Sequence, residues 1–98
     1  MNVVIVGAGP AGLIASLLLV EAGIRPLILE VNPSIVSTPC GEGCTVAALN
    51  NIPFDSTGYI SKLVRGSRLI QSDGSSSYTE NETAILDRTD WLKGMAEA

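Results

Sequence analysis

The sequence predicts an α/β fold: a β-α-β start, then a small β-hairpin excursion, then a C-terminal helix. Three observations carry this. "VVIV" (Val3–Val6) is an unbroken β-branched run of the kind that forms a buried parallel strand. "GAGPAG" (Gly7–Gly12) is a glycine-rich turn placed directly after it and directly before an apolar helical stretch. "RPLILE" (Arg25–Glu30) is a second short apolar run that ends in an acid.

The first strand is expected to lie in the middle of a sheet, covered on both faces. The opening stretch Val3–Leu19 carries no charge, which raises a signal peptide or a membrane helix as alternatives. A signal peptide needs Lys or Arg before the run, and only Met1 and Asn2 stand there. A spanning helix needs ~20 apolar residues, and Gly7, Gly9, Pro10 and Gly12 interrupt this one. Strand, turn and helix fit the pattern better. The helix "AGLIASLLLVEAG" is expected to stop at Gly23.

Each residue of the turn has a physical reason. Gly7 lets the chain leave the strand sharply, Gly9 lets a pyrophosphate approach the backbone, and Gly12 lets the helix pack closely on the strand. Pro10 suits the first helical turn, where its missing N–H is not needed. The helix start around Pro10, Ala11 and Gly12 directs free N–H groups and the positive end of the helix dipole at phosphates. Glu30 lies 18 positions after Gly12, where a carboxylate can accept hydrogen bonds from a ribose hydroxyl. The pattern is that of a Rossmann-like dinucleotide-binding start. An ordinary tight turn and a solvated strand-end acid are the bland alternatives.

Beyond Glu30, "VNPSIVSTPCGEGC" reads as a long loop, and loops of that length are more often functional than not. "TVAALNNI" reads as a short helix stopped by Asn50, Asn51 and Pro53. "KLVRGSRLIQ" and "SSYTE" flank the turn "SDGSS" and read as a hairpin. "TAIL" is expected to be a further strand, and "DRTDWLKGMAEA" a helix capped by Asp87 or Thr89.

Composition narrows the function classes. The 98 residues are 46% hydrophobic and 16% charged, with a net charge of −4 and a pI near 4.5. Such a chain has no basic footprint for nucleic acid and none for an anionic membrane surface. There is no histidine. Cys40 and Cys44 supply two ligands where a structural metal site wants about four, so no metal is expected. Their C-x-x-x-C spacing differs from the usual dithiol C-x-x-C. Two thiols in a reducing cytoplasm remain the default reading. Glu42 could move a proton in principle, but no partner for it is visible in the sequence.

These residues resemble a known family. "VVIVGAGPAGLIAS…L…AG…LILE" is similar to the N-terminal ADP-binding unit of the two-dinucleotide-binding-fold flavoproteins. "STPCGEGC" (Ser37–Cys44) resembles the Pro-x-Cys-Gly segment of the geranylgeranyl reductase family. "AILDRTDWLKGMAEA" (Ala84–Ala98) resembles an Arg-containing stretch which that family shares with the aromatic hydroxylases. The resemblance implies FAD as cofactor, with Gly7, Gly9, Pro10, Ala11, Gly12 and Glu30 on its ADP half. It implies Arg88 near the phosphates or ribose, and Cys40 and Gly41 in a loop approaching the flavin. Departures are Val31, where a basic residue is frequent, Ser16 for Ala, and Trp91 for Phe or Leu.

On this resemblance, residues 1–98 form the N-terminal portion of an FAD/NAD(P)-binding domain that is cut short. The expected function is that of a flavin-dependent oxidoreductase reducing isoprenoid C=C bonds. The alternatives are an aromatic hydroxylase, an NAD(P)-binding dehydrogenase, or a non-enzymatic nucleotide-binding module. The implied partners are FAD and an isoprenoid lipid, with no nucleic acid and no transmembrane segment. An unpaired sheet edge would also allow self-association. The expected location is the cytoplasm, peripheral to a membrane where the lipid substrate requires it.

Overall fold

In the computed structural model, which describes residues 2–35 and 40–98, the chain forms two small sheets joined through helices. Strand β1 (Val4–Val6) leads through the glycine turn into helix α1 (Pro10–Glu21), and the chain returns as β2 (Leu27–Leu29). β1 and β2 pair in parallel, with Val4 opposite Leu27 and Val6 opposite Leu29. Helix α1 ends as the sequence requires. Gly23 has φ +83, its N–H bonds the carbonyl of Val20, and the N–H of Ile24 bonds that of Leu19. Those two bonds are the Schellman arrangement that satisfies the last helical carbonyls.

The second sheet holds β3 (Gly43–Thr45), β4 (Ile60–Ile70) and β5 (Ser76–Leu86), all antiparallel in the order β3-β5-β4. Helix α2 (Val46–Asn50) follows β3, with the Thr45 hydroxyl accepting the N–H of Ala48 as its cap. A 3-10 turn (Thr57–Tyr59) feeds β4, and helix α3 (Arg88–Glu97) follows β5.

Three expectations need correction here. "TAIL" is not a separate strand; it is the last part of the continuous strand β5, and the third strand of this sheet is β3. The hairpin is therefore not small. Its strands have 11 residues each, and the molecule reaches 54 Å in its longest dimension against 25 and 23 Å in the others. Strand β1 is covered on one face only. Ile5 points toward α1, whereas Val4, Val6, Leu27 and Leu29 are exposed, Val6 to 84%.

The core lies between the two sheets. Leu13 and Leu17 of α1, Leu49 of α2, Ala84 and Leu86 of β5, and Trp91, Leu92 and Met95 of α3 are all buried. Helix α3 packs against α1, so the parallel pair and the antiparallel sheet share one apolar interior. Trp91 fits despite its bulk because its indole N–H has a buried partner. It donates to the Ser56 hydroxyl at 2.9 Å, the one buried polar side chain among the described residues.

Helix α1 lies very close to β1. A Cβ on residue 12 would run into the carbonyl oxygen of Gly7 and sit 3.3 Å from the Ile5 Cγ2. Backbone therefore occupies the space a side chain would need. Gly12→Ala is expected to destabilise the fold by about 2 kcal/mol through overpacking, read as a lowered urea midpoint at unchanged m-value.

Candidate functional site

The glycine turn is built from backbone hydrogen bonds. Gly7, at φ +103, donates its N–H to the carbonyl of Leu29 at 2.7 Å, tying the turn to the end of β2. Ala8 is buried, and its N–H donates to Glu30 Oε1 at 2.9 Å. Glu30 Oε2 accepts the N–H of Asn32 at 2.8 Å. These two backbone donors, Ala8 first and Asn32 second, hold the Glu30 carboxyl below its ordinary value. Glu30 thus does more than end a strand: it clamps the turn, and its remaining lone pairs can still accept hydroxyl donors.

Gly9 is the N-cap of α1 in extended conformation, with Pro10 in the first helical position. No side chain caps this helix and no acidic residue lies in its first turn. The N–H groups of Ala11 and Gly12 have no intrahelical acceptor by helix geometry. A Cβ added at Gly9 would meet nothing within 4 Å. Open space, free donors and a positive dipole end fit a pyrophosphate, and the adjacent Glu30 fits the ribose that follows it.

A second wall stands opposite Pro10. A cavity of about 160 Å³ is lined by Pro10, Cys40, Glu42, Cys44, Arg88 and Trp91, among others. The structure therefore brings the start of α1 together with two of the remaining predicted residues, Cys40 and Arg88. Gly41 is exposed beside them, and a Cβ there would meet nothing within 4 Å. Residues 37–39 of the "STPCGEGC" stretch lie outside the described residues. Among the described residues, no three of His, Cys, Asp or Glu gather as a metal-binding group.

The residue that sequence reasoning undervalued is Glu42. Within Gly41–Gly43 it is Glu42, not a glycine, that takes positive φ, at +62. For a residue with a Cβ that conformation costs roughly 1–2 kcal/mol. Its backbone carbonyl accepts the N–H of Leu86 at 3.0 Å, and its Oε2 accepts the N–H of Arg88 at 3.1 Å. Its own N–H points to Cys40 Sγ at 3.4 Å. This corrects the expected cap of α3. Asp87 occupies the N-cap position but makes no side-chain cap bond; the carboxylate of Glu42 reaches the first helical N–H instead. The partner is 46 positions away in sequence, so no local pattern could have revealed it.

The model of the FAD binding domain family matches residues 1–59. The chain belongs to that family. Its cofactor is FAD, and the domain is that of flavin-dependent oxidoreductases. Among curated relatives, digeranylgeranylglycerophospholipid reductase 1 of Methanopyrus kandleri is 38% identical over 91 residues, covering 89% of this chain and 24% of that protein. The digeranylgeranylglycerophospholipid reductase of Methanothrix thermoacetophila is 35% identical over 75 residues, covering 76% and 19%. The chain thus spans about a quarter or less of the length of these relatives.

Solved structures agree. A geranylgeranyl bacteriochlorophyll reductase-like protein of Thermoplasma acidophilum superposes with a TM-score of 0.81 at 27% identity, over 98% of this chain and 26% of that one. The p-nitrophenol 4-monooxygenase of Pseudomonas putida gives 0.72 at 18% identity, over 98% and 29%, a likeness of fold alone. In this family setting the α/β reading of the glycine turn, α1 and β2 stands.

The Glu30 clamp generates a pH dependence. Because the folded carboxyl is depressed, its contribution to stability is complete above the ordinary glutamate value of 4.5 and is lost as pH falls through the folded value. Glu30→Gln places an amide where two N–H groups converge. The stability difference between wild type and Glu30→Gln is therefore expected to be largest near pH 7 and to shrink on acidification below about 4.5, as followed by urea unfolding across that range.

Proposed function

We propose that this chain forms the cofactor-binding start of a flavoprotein that reduces isoprenoid C=C bonds. One observation carries the reading: Cys40 and Arg88, distant in sequence, line a common cavity with Pro10 at the start of α1. The names of the curated relatives supply the substrate class. Gly7, Gly9 and Gly12 keep the turn open to the pyrophosphate, with the N–H groups of Ala11 and Gly12 as donors and Pro10 presetting the helix start. Glu30 accepts the adenosine ribose hydroxyls. Arg88 meets the phosphates or the ribose from the facing helix, where a guanidinium suits phosphate geometry. Cys40 and Gly41 form the edge that approaches the flavin and the substrate. When bound and reduced, FAD would supply hydride to one carbon of the double bond, and a proton donor would complete the other.

In this reading the lipid substrate is met from the cytoplasm at a membrane surface. Among the described residues no helix is long and apolar enough to cross a membrane. In the same reading, an unpaired sheet edge serves self-association.

Calorimetric titration with FAD tests the assignment, with NADPH as competitor. The chain is expected to bind FAD and retain flavin absorbance after desalting. Glu30→Ala and Arg88→Ala should each weaken FAD about 10- to 100-fold, the loss of a charge-assisted hydrogen bond. A preference for NADPH would turn the reading to a dehydrogenase. For the substrate class, the FAD-loaded chain is reduced anaerobically and mixed with a geranylgeranyl phospholipid. Return of oxidised-flavin absorbance supports isoprenoid reduction. Because the chain spans about a quarter or less of its relatives, the reading is overturned when a full-length relative carrying residues 1–98 as its start binds FAD but fails to reoxidise with this lipid.

A further inference from the structure

We propose that Glu42 is a positioning residue for the cofactor site: it locks the cysteine loop to α3 and thereby sets how Arg88 meets the cofactor's phosphates. The inference rests on the reading that Arg88 contacts FAD.

Three independent features converge on Glu42. Its backbone sits in the left-handed region at φ +62, although glycines stand on both sides of it. A loop free to vary would place glycine there, so the side chain has a use that offsets the strain. That use is visible. The carboxylate accepts the N–H of Arg88 at 3.1 Å, half-buried, while the N-cap residue Asp87 makes no side-chain cap bond.

The third feature is that the attachment is double. The Glu42 carbonyl also accepts the N–H of Leu86, so backbone and side chain grip the chain on either side of Asp87. The ladder continues through Gly43 opposite Ile85 and Cys44 opposite Ala84. Glu42, Cys40 and Arg88 all line the same cavity as Pro10. Without the Glu42 carboxylate, the first turn of α3 loses its cap and Arg88 loses the bond that orients its backbone toward that cavity. Because Glu42 acts through Arg88, its worth to binding should vanish when the guanidinium is gone.

A double-mutant cycle on the full chain tests this, with FAD affinity as the readout and melting temperature recorded in parallel. Glu42→Gly removes the side chain at a φ that glycine tolerates. It is expected to weaken FAD binding, by no more than Arg88→Ala does. Glu42→Gln keeps an oxygen acceptor and is expected to bind within about twofold of wild type. The double variant Glu42→Gly, Arg88→Ala should bind no more weakly than Arg88→Ala alone. Should Glu42→Gly fail to fold, Glu42→Asn replaces it, since Asn tolerates the left-handed region and its side chain is one carbon shorter.

Full additivity of the two losses, or unchanged binding in Glu42→Gly while Arg88→Ala is weakened, overturns the positioning role and leaves the Arg88 assignment intact. If Arg88→Ala itself binds FAD like wild type, the Arg88 assignment fails and this inference falls with it.

Discussion

The structure depends on how closely α1 approaches β1. The Gly7 carbonyl fills the place where a side chain at position 12 would begin, and that contact fixes where the helix starts. Once the start is fixed, the free N–H groups of α1 face the space above Gly9, and Ala8 falls within reach of Glu30. The remainder of the helix then presents Leu13 and Leu17 to the common interior. A looser contact would change the aim of the helix as well as its packing. The absence of side chains at these positions thus sets both the fold and the site.

The second organising contact is made by α3. It seals the interior with Trp91, Leu92 and Met95, and its first residue, Arg88, faces the same cavity as the start of α1. One helix therefore serves as core and as wall. That economy has a cost in strain, carried at Glu42, whose backbone holds an unfavourable conformation so that its carboxylate can reach the helix. Local strain held in place by surrounding hydrogen bonds is typical of loops that shape a binding site.

Legibility in the sequence followed the range of the interactions. The strand–turn–helix–strand of Val3–Glu30 is encoded in neighbouring residues, because β-branched runs, glycine spacing and a helix stop at Gly23 all act within a few positions. The hairpin turn at Asp73–Gly74 and the short helix after Thr45 were legible for the same reason. What could not be read depends on distant partners. Cys44 is a strand residue only because Ala84 lies opposite it. "TAIL" belongs to β5 because the polar run Ser76–Glu82 continues the same ladder with β4, although it lacks the alternation that marks a half-buried strand. The same holds within the site. Glu30 was found by its spacing from the turn, whereas its grip on Ala8 and the reach of Glu42 to Arg88 are visible only in three dimensions.

The placement of Trp91 has an optical consequence. It is the only tryptophan in the sequence, the residue is 4% exposed with its indole N–H held by Ser56, and it also borders the cavity shared by Pro10, Cys40 and Arg88. Its emission should therefore be that of a shielded, immobile indole in the folded protein and shift to the red when the chain opens. The molecule thus carries a built-in fluorophore where its core meets that cavity, reporting integrity by its colour.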